Sequence, residues 1–153
     1  MSKKPVPSLK ATALRLLSMR EHSRVELRRK LKAKAQEGED VEAVLDRMAE
    51  TGLQSDQRFA EGWVRTQGGR VGIERLRREL AERGVSSEVA AAALGEGLIE
   101  DELTRARDVW AKKFGVLPQD QSDWGRQARF MQSRGFAVDV IRKLLKEPFD
   151  ESA

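Results

Sequence analysis

SRVELRRKLKAKA at residues 23–35 and GIERLRRELAERG at 72–84 decide the fold. Laid over one another they put Leu27 on Leu76 and Leu31 on Leu80. Apolar residues four apart on a charged background describe an amphipathic helix. A third copy, DWGRQARFMQSRG at 123–135, falls into register through Met131, Arg134 and Gly135. Behind each copy comes a second apolar pattern: Val44, Leu45, Met48, Ala49, then Val89, Ala90, Ala93, Leu94, then Val140, Ile141, Leu144, Leu145. The junctions TGLQSD (51–56) and EGLIED (96–101) also match, and Trp63 aligns with Trp110 in front. Three helices therefore recur three times, in units of roughly 45–50 residues.

The breaks between these patterns are chemically marked. Ser23 and Glu26 form a capping box, in which hydroxyl and carboxylate satisfy each other's backbone N–H groups. Asp40 ends an acidic loop as a cap, and Ser55 and Ser86 follow Gly52 and Gly84 as start after stop. Good helix formers dominate, and no stretch alternates with period two. The pattern predicts nine helices, at 8–21, 23–35, 40–51, 55–67, 72–83, 86–96, 99–114, 122–134 and 137–146. The expected fold is all-α, with units at 1–52, 53–98 and 99–153. One such unit buries too little apolar surface to be stable alone, so three should share interfaces as an elongated, curved molecule. The glycine-rich connector Gly68-Gly69-Arg70-Val71-Gly72 is expected to let units hinge.

Composition narrows the chemistry. The 153 residues contain no cysteine and one histidine, which leaves no disulfide, no thiolate site and no basis for a Ser-His-Asp triad. His22 reads as a histidine at the end of a helix beside a cap. The eight aromatics, Phe149 among them, read mainly as core anchors, since Phe59/Trp63 and Trp110/Phe114 are spaced by four. No apolar run approaches a membrane span, and MSKKPVPSLK lacks a signal-peptide core, so a cytoplasmic protein is expected. No catalytic residue, metal ligand or cofactor site is expected, and with no long heptad pattern a monomer is.

The net charge is +4, but its sign alternates along the chain: +9 over residues 1–34, −6 over 35–64, +3 over 65–84, −5 over 85–104, +6 over 105–146 and −3 over 147–153. Arg24, Arg28 and Lys32 share one helical face, widened by Arg29, Lys30 and Lys34. Arg75, Arg77, Arg78 and Arg83 hold the same place in the second unit. Such faces suit phosphates or an acidic protein groove. The plainer alternative is a solvated face balanced by the protein's own acids, such as Glu42 and Asp46.

With these residues in view, the chain resembles the RecX family of regulators of the RecA recombinase. REHSRVELRRKL (20–31), SDQRFAEGWVR (55–65), IERLRRELAERGV (73–85) and WGRQARFMQSRGF (124–136) are similar to that family's motifs, in the family's order. The acidic loop Glu37–Asp40 is longer than the family pattern, and the connector GGRVG carries fewer basic residues. The resemblance implies tandem three-helix repeats. It also implies a protein of recombination, repair and the SOS response that binds the RecA filament on single-stranded DNA. Such a protein restrains filament assembly, ATP hydrolysis, strand exchange and coprotease activity. Some members also bind single- or double-stranded DNA. On this reading Arg24, Arg28, Arg29, Lys30, Arg77 and Arg78 contact recombinase or DNA. The rival reading is a helical DNA-binding protein that acts on recombination indirectly.

Overall fold

Helix starts follow from the caps. Ser8, Ser23, Asp40, Ser55, Ser86 and Asp120 each accept a first-turn backbone N–H through the side chain. Ser23 and Glu26 complete the capping box in both directions. The computed structural model describes residues 5–146. Among them are nine helices and no strand: α1 (Leu9–Met19), α2 (Arg24–Lys34), α3 (Val41–Glu50), α4 (Asp56–Gln67), α5 (Ile73–Glu82), α6 (Ser87–Glu100), α7 (Glu102–Lys113), α8 (Gln121–Ser133) and α9 (Val138–Leu145).

Each successive trio closes on its own core, and no extensive contact joins the first trio to the third. Leu9, Ala13, Leu16, Leu27, Leu31, Leu45 and Met48 fill the first. The second has two adjoining clusters, Phe59, Ala60, Leu80, Val85 and Ala90, then Val71, Ile73, Leu76 and Leu94, bridged by Trp63 and Val64. Ala106, Met131, Phe136, Ile141, Leu144 and Leu145 fill the third. The leucines that defined the repeat are all at 0% exposure, so the period-four pattern marks the buried stripe.

The trios are joined by one device used twice, which brings middle helices α2, α5 and α8 end against end. At the first joint, the Ser23 hydroxyl donates to the Arg83 carbonyl at the end of α5 (2.7 Å), and the Arg24 N–H donates to the Asp56 carboxylate of α4 (2.8 Å). At the second, the Gly72 N–H donates to the Arg134 carbonyl at the end of α8 (2.7 Å), and the Ile73 N–H donates to the Glu102 carboxylate of α7 (2.9 Å). The carbonyl end of one middle helix thus meets the N–H end of the preceding one, which sets the negative end of one helix dipole beside the positive end of the other. The residue after each carbonyl is a glycine at positive φ, Gly84 (+80°) and Gly135 (+91°). A Cβ on Gly84 would come within 2.2 Å of Val25, and one on Gly135 within 2.2 Å of the Arg75 Cβ. Arg105 of α7 adds to the second joint by donating to the carbonyls of Gly68 and Leu98.

Three expectations change. The connector at 68–72 is packed rather than free: Val71 is 3% exposed, and Gly72 lies so close to Gly135 that a Cβ would meet its carbonyl oxygen at 2.3 Å. Helix α6 extends to Glu100 instead of ending near 96; Gly95, at φ +64°, breaks it and a further turn follows. Helix α7 accordingly begins at Glu102 rather than 99. Among the aromatics, Phe59 and Phe136 are core residues, while Trp63 and Trp110 are half-buried. Each of these tryptophans ties a first helix to a middle helix through its indole N–H, to Glu79 (2.8 Å) and Gln127 (2.7 Å). Phe149 lies outside the described residues.

Candidate interaction surface

The basic side of α2 is partly consumed within the first unit. Arg28 donates to Glu42 through Nε (2.6 Å) and a second nitrogen (3.2 Å), and Arg24 reaches both Glu42 and Asp46 of α3. The hydrogen bonds from Arg28 hold the Glu42 carboxyl below its ordinary range. The charge balance foreseen for Glu42 and Asp46 is therefore present. Lys30 is engaged differently, with Nζ 3.0 Å from His22 Nε2.

His22 is not at a helix end but in the linker between α1 and α2, at 1% exposure. Its Nδ1 lies 3.0 Å from the Arg20 carbonyl. The lysine can only donate, so the network assigns a neutral ring protonated at Nδ1. Burial pushes the imidazole below its ordinary value, and nearby Arg20 and Lys30 push the same way. Gln54 of the second unit donates to the His22 carbonyl (3.3 Å), which ties this linker to the first joint.

The remaining predicted cations are free. Arg29, Arg77 and Arg78 are exposed, and among the described residues none has a carboxylate within 4.0 Å. Register explains the contrast between the units. The positions of Glu42 and Asp46 in α3 correspond in α6 to Ser87 and Ala91, so Arg77 lacks the acid that engages its counterpart Arg28. The same register, two residues before Leu31, Leu80 and Met131, shows what sequence reading missed. Arg29, Arg78 and Arg129 are equivalent, each exposed and each without a carboxylate partner among the described residues. One free guanidinium thus recurs on every middle helix. The alignment contained this signal, but Arg129 lies in the copy with the fewest matching residues.

A second concentration of cations has no single-segment signature. Arg70 from the α4–α5 connector, Lys112 and Lys113 from the end of α7, and Arg134 from the end of α8 meet around Val109 and Phe130 in a cleft of about 300 Å³. Among the described residues, no group of three or more His, Cys, Asp or Glu could hold a metal ion. No helix there is long and apolar enough to cross a membrane.

Known proteins decide the family. Models described as the first, second and third three-helix domains of RecX match residues 10–48, 55–94 and 100–145. The chain belongs to the RecX family. Regulatory protein RecX of Chromobacterium violaceum is 43% identical over 144 residues, covering 94% of this chain and 93% of the relative. Regulatory protein RecX of Leptothrix cholodnii is 41% identical over 145 residues, with 95% and 92% covered. The crystal structure of RecX from Lactobacillus salivarius superposes with a TM-score of 0.75 at 18% identity, covering 90% of this chain and 92% of that one, a likeness of fold. As in other RecX proteins, then, three helical repeats form the whole of the described architecture.

Proposed function

We propose that this RecX-family protein binds the RecA recombinase filament on single-stranded DNA and restrains its assembly, and through that its ATP hydrolysis, strand exchange and coprotease activity. It acts in the cytoplasm by binding alone, as a monomer, with units at 1–52, 53–98 and 99–153. The observation that carries this reading is the free arginine repeated at one register, Arg29, Arg78 and Arg129. A filament presents the same surface at every protomer. A series of units fixed end to end can meet it with one charged contact per step, and linked weak contacts multiply into avidity. Arg77 adds to the second contact. Arg24, Arg28 and Lys30 are secondary members of the surface, since their heads are already engaged.

The test is the recombinase's DNA-dependent ATPase with this protein added before or after filament assembly. Inhibition by the wild-type protein should be lost when Arg29, Arg78 and Arg129 are replaced together by alanine, with helicity and melting unchanged. An ATPase indifferent to the wild-type protein overturns the reading. The rival, a DNA binder acting indirectly, would prefer bare strands to recombinase-coated ones and lose affinity steeply with salt.

A further inference from the structure

The two joints carry clefts at comparable places, and their chemistry differs. The first, between units one and two, is lined by Arg20 and Arg83 but also by Glu21 and Glu26, beside Phe59 and Trp63. It is balanced internally: Arg20 pairs with Glu26 (3.3 Å), and the Arg83 guanidinium lies over the Trp63 ring at 3.8 Å. In the second, Arg70, Lys112, Lys113 and Arg134 converge with no carboxylate among the described residues of the lining. The register equivalent of Arg83 is Arg134, here set 5.1 Å from the centre of the Phe130 ring. Lys113 lies 5.2 Å from the same ring, and Phe114 meets it in an edge-to-face contact at 5.4 Å. Four like charges gathered around an apolar floor raise the local positive potential and attract an anion.

We propose that this cleft is a docking site for an acidic peptide segment of a partner protein, one in which carboxylates flank a single apolar side chain. The apolar side chain rests on Val109 and Phe130, while the carboxylates meet Arg70, Lys112, Lys113 and Arg134. Two features favour polypeptide over nucleic acid. Lys113, Arg134 and Phe114 crowd the Phe130 ring, which disfavours a base stacked flat on it more than a narrow aliphatic side chain that needs only part of the ring and Val109. A leucine between glutamates also brings a branched aliphatic side chain to the apolar floor, where a nucleic acid offers only sugar C–H groups and the small thymine methyl. The assignment stands apart from the recombinase reading, because its ligand is tested as a free peptide.

The probe is a fluorescent capped hexapeptide, Asp-Glu-Leu-Glu-Glu-Asp, titrated with the full chain and read by anisotropy. Saturable binding is expected. Lys112→Glu with Lys113→Glu should weaken it about 10-fold or more through like-charge repulsion. Changing the peptide's leucine to serine should weaken it about 5-fold. The variant pair Arg77→Ala with Arg78→Ala, which lies outside the cleft, should bind the peptide as wild type does. Should the charge-reversed pair melt early, Lys112→Ala with Lys113→Ala replaces it. Peptide binding that survives both lysine pairs overturns the proposal. So does a cleft that ignores the peptide but holds a 20-nucleotide oligothymidine with sensitivity to those lysines.

Discussion

Glu102 accepts a hydrogen bond from the backbone N–H of Ile73, a residue 29 positions earlier in the chain, at 2.9 Å. Helix α5 starts at Gly72, which has no side chain to serve as a cap. The third unit therefore supplies the missing acceptor to the second. Asp56 does the same for Arg24 of the first unit, although Ser23 there is also a cap. Stability of a helix in one repeat thus depends on a carboxylate in the next.

Removing that acceptor should be felt across the joint. Glu102→Ala leaves the buried Ile73 N–H without a partner and should lower the unfolding free energy by about 1–2 kcal/mol in urea titrations. Asp56→Ala should matter less to α2, because Ser23 continues to cap it. Equal losses from the two changes would contradict the division of labour.

The glycines at the joints give a second comparison. Gly84→Ala and Gly135→Ala each add a Cβ at positive φ against a packed neighbour, and each should cost about 2–4 kcal/mol. Gly38 has a similar φ of +84° but open space around it, so Gly38→Ala should cost only about 1 kcal/mol. Denaturant midpoints for the three variants separate backbone strain from the close approach of the helices.

Glu42 and Asp46 restrain Arg24 and Arg28, and their removal should release two cations. Glu42→Ala with Asp46→Ala should tighten binding to a single-stranded oligonucleotide at low salt. The salt slope should steepen by about 0.7 per freed cation. An unchanged slope would mean that the two arginines still point away from the ligand.

His22 gives the protein an acid-sensitive joint. Its folded-state pKa lies below the ordinary 6.5, so the unfolded chain takes up the proton more readily. Stability is then fully present above about pH 6.5 and falls as the pH drops through that value toward the lower folded pKa. Protonation would set a cation beside Lys30 and the Arg20 side chain, with Glu26 as an opposing charge nearby. His22→Asn should flatten the stability profile between about pH 7 and 5. Losses below that window belong to the carboxylates held low by arginines, Glu26, Glu42 and Asp123.

The parts of the fold legible in the sequence are those with local causes. Leu27, Leu31, Leu76 and Leu80 announced buried stripes by spacing, and Ser23, Asp40, Ser55 and Ser86 announced helix starts by hydrogen-bonding chemistry. The joints were not legible, because Glu102 and Ile73 or Gly135 and Arg75 meet only in three dimensions. The glycines of the 68–72 connector suggested freedom; Gly72 is there to let another backbone come close. Balance of the α2 cations by Glu42 and Asp46 was legible as an alternative, but not which cations it takes: Arg24 and Arg28 are held by these acids on α3 while Arg29 is not. The cleft at Phe130 draws on three separate segments and left no trace in any one of them.

Because middle helices of 11, 10 and 13 residues abut at their tips, their combined contour is about 50 Å. The bonds at the two joints hold these rods tip to tip. The protein is in that sense a gauge: it presents its marks at set intervals, and a periodic object fits it only when the two rulings agree.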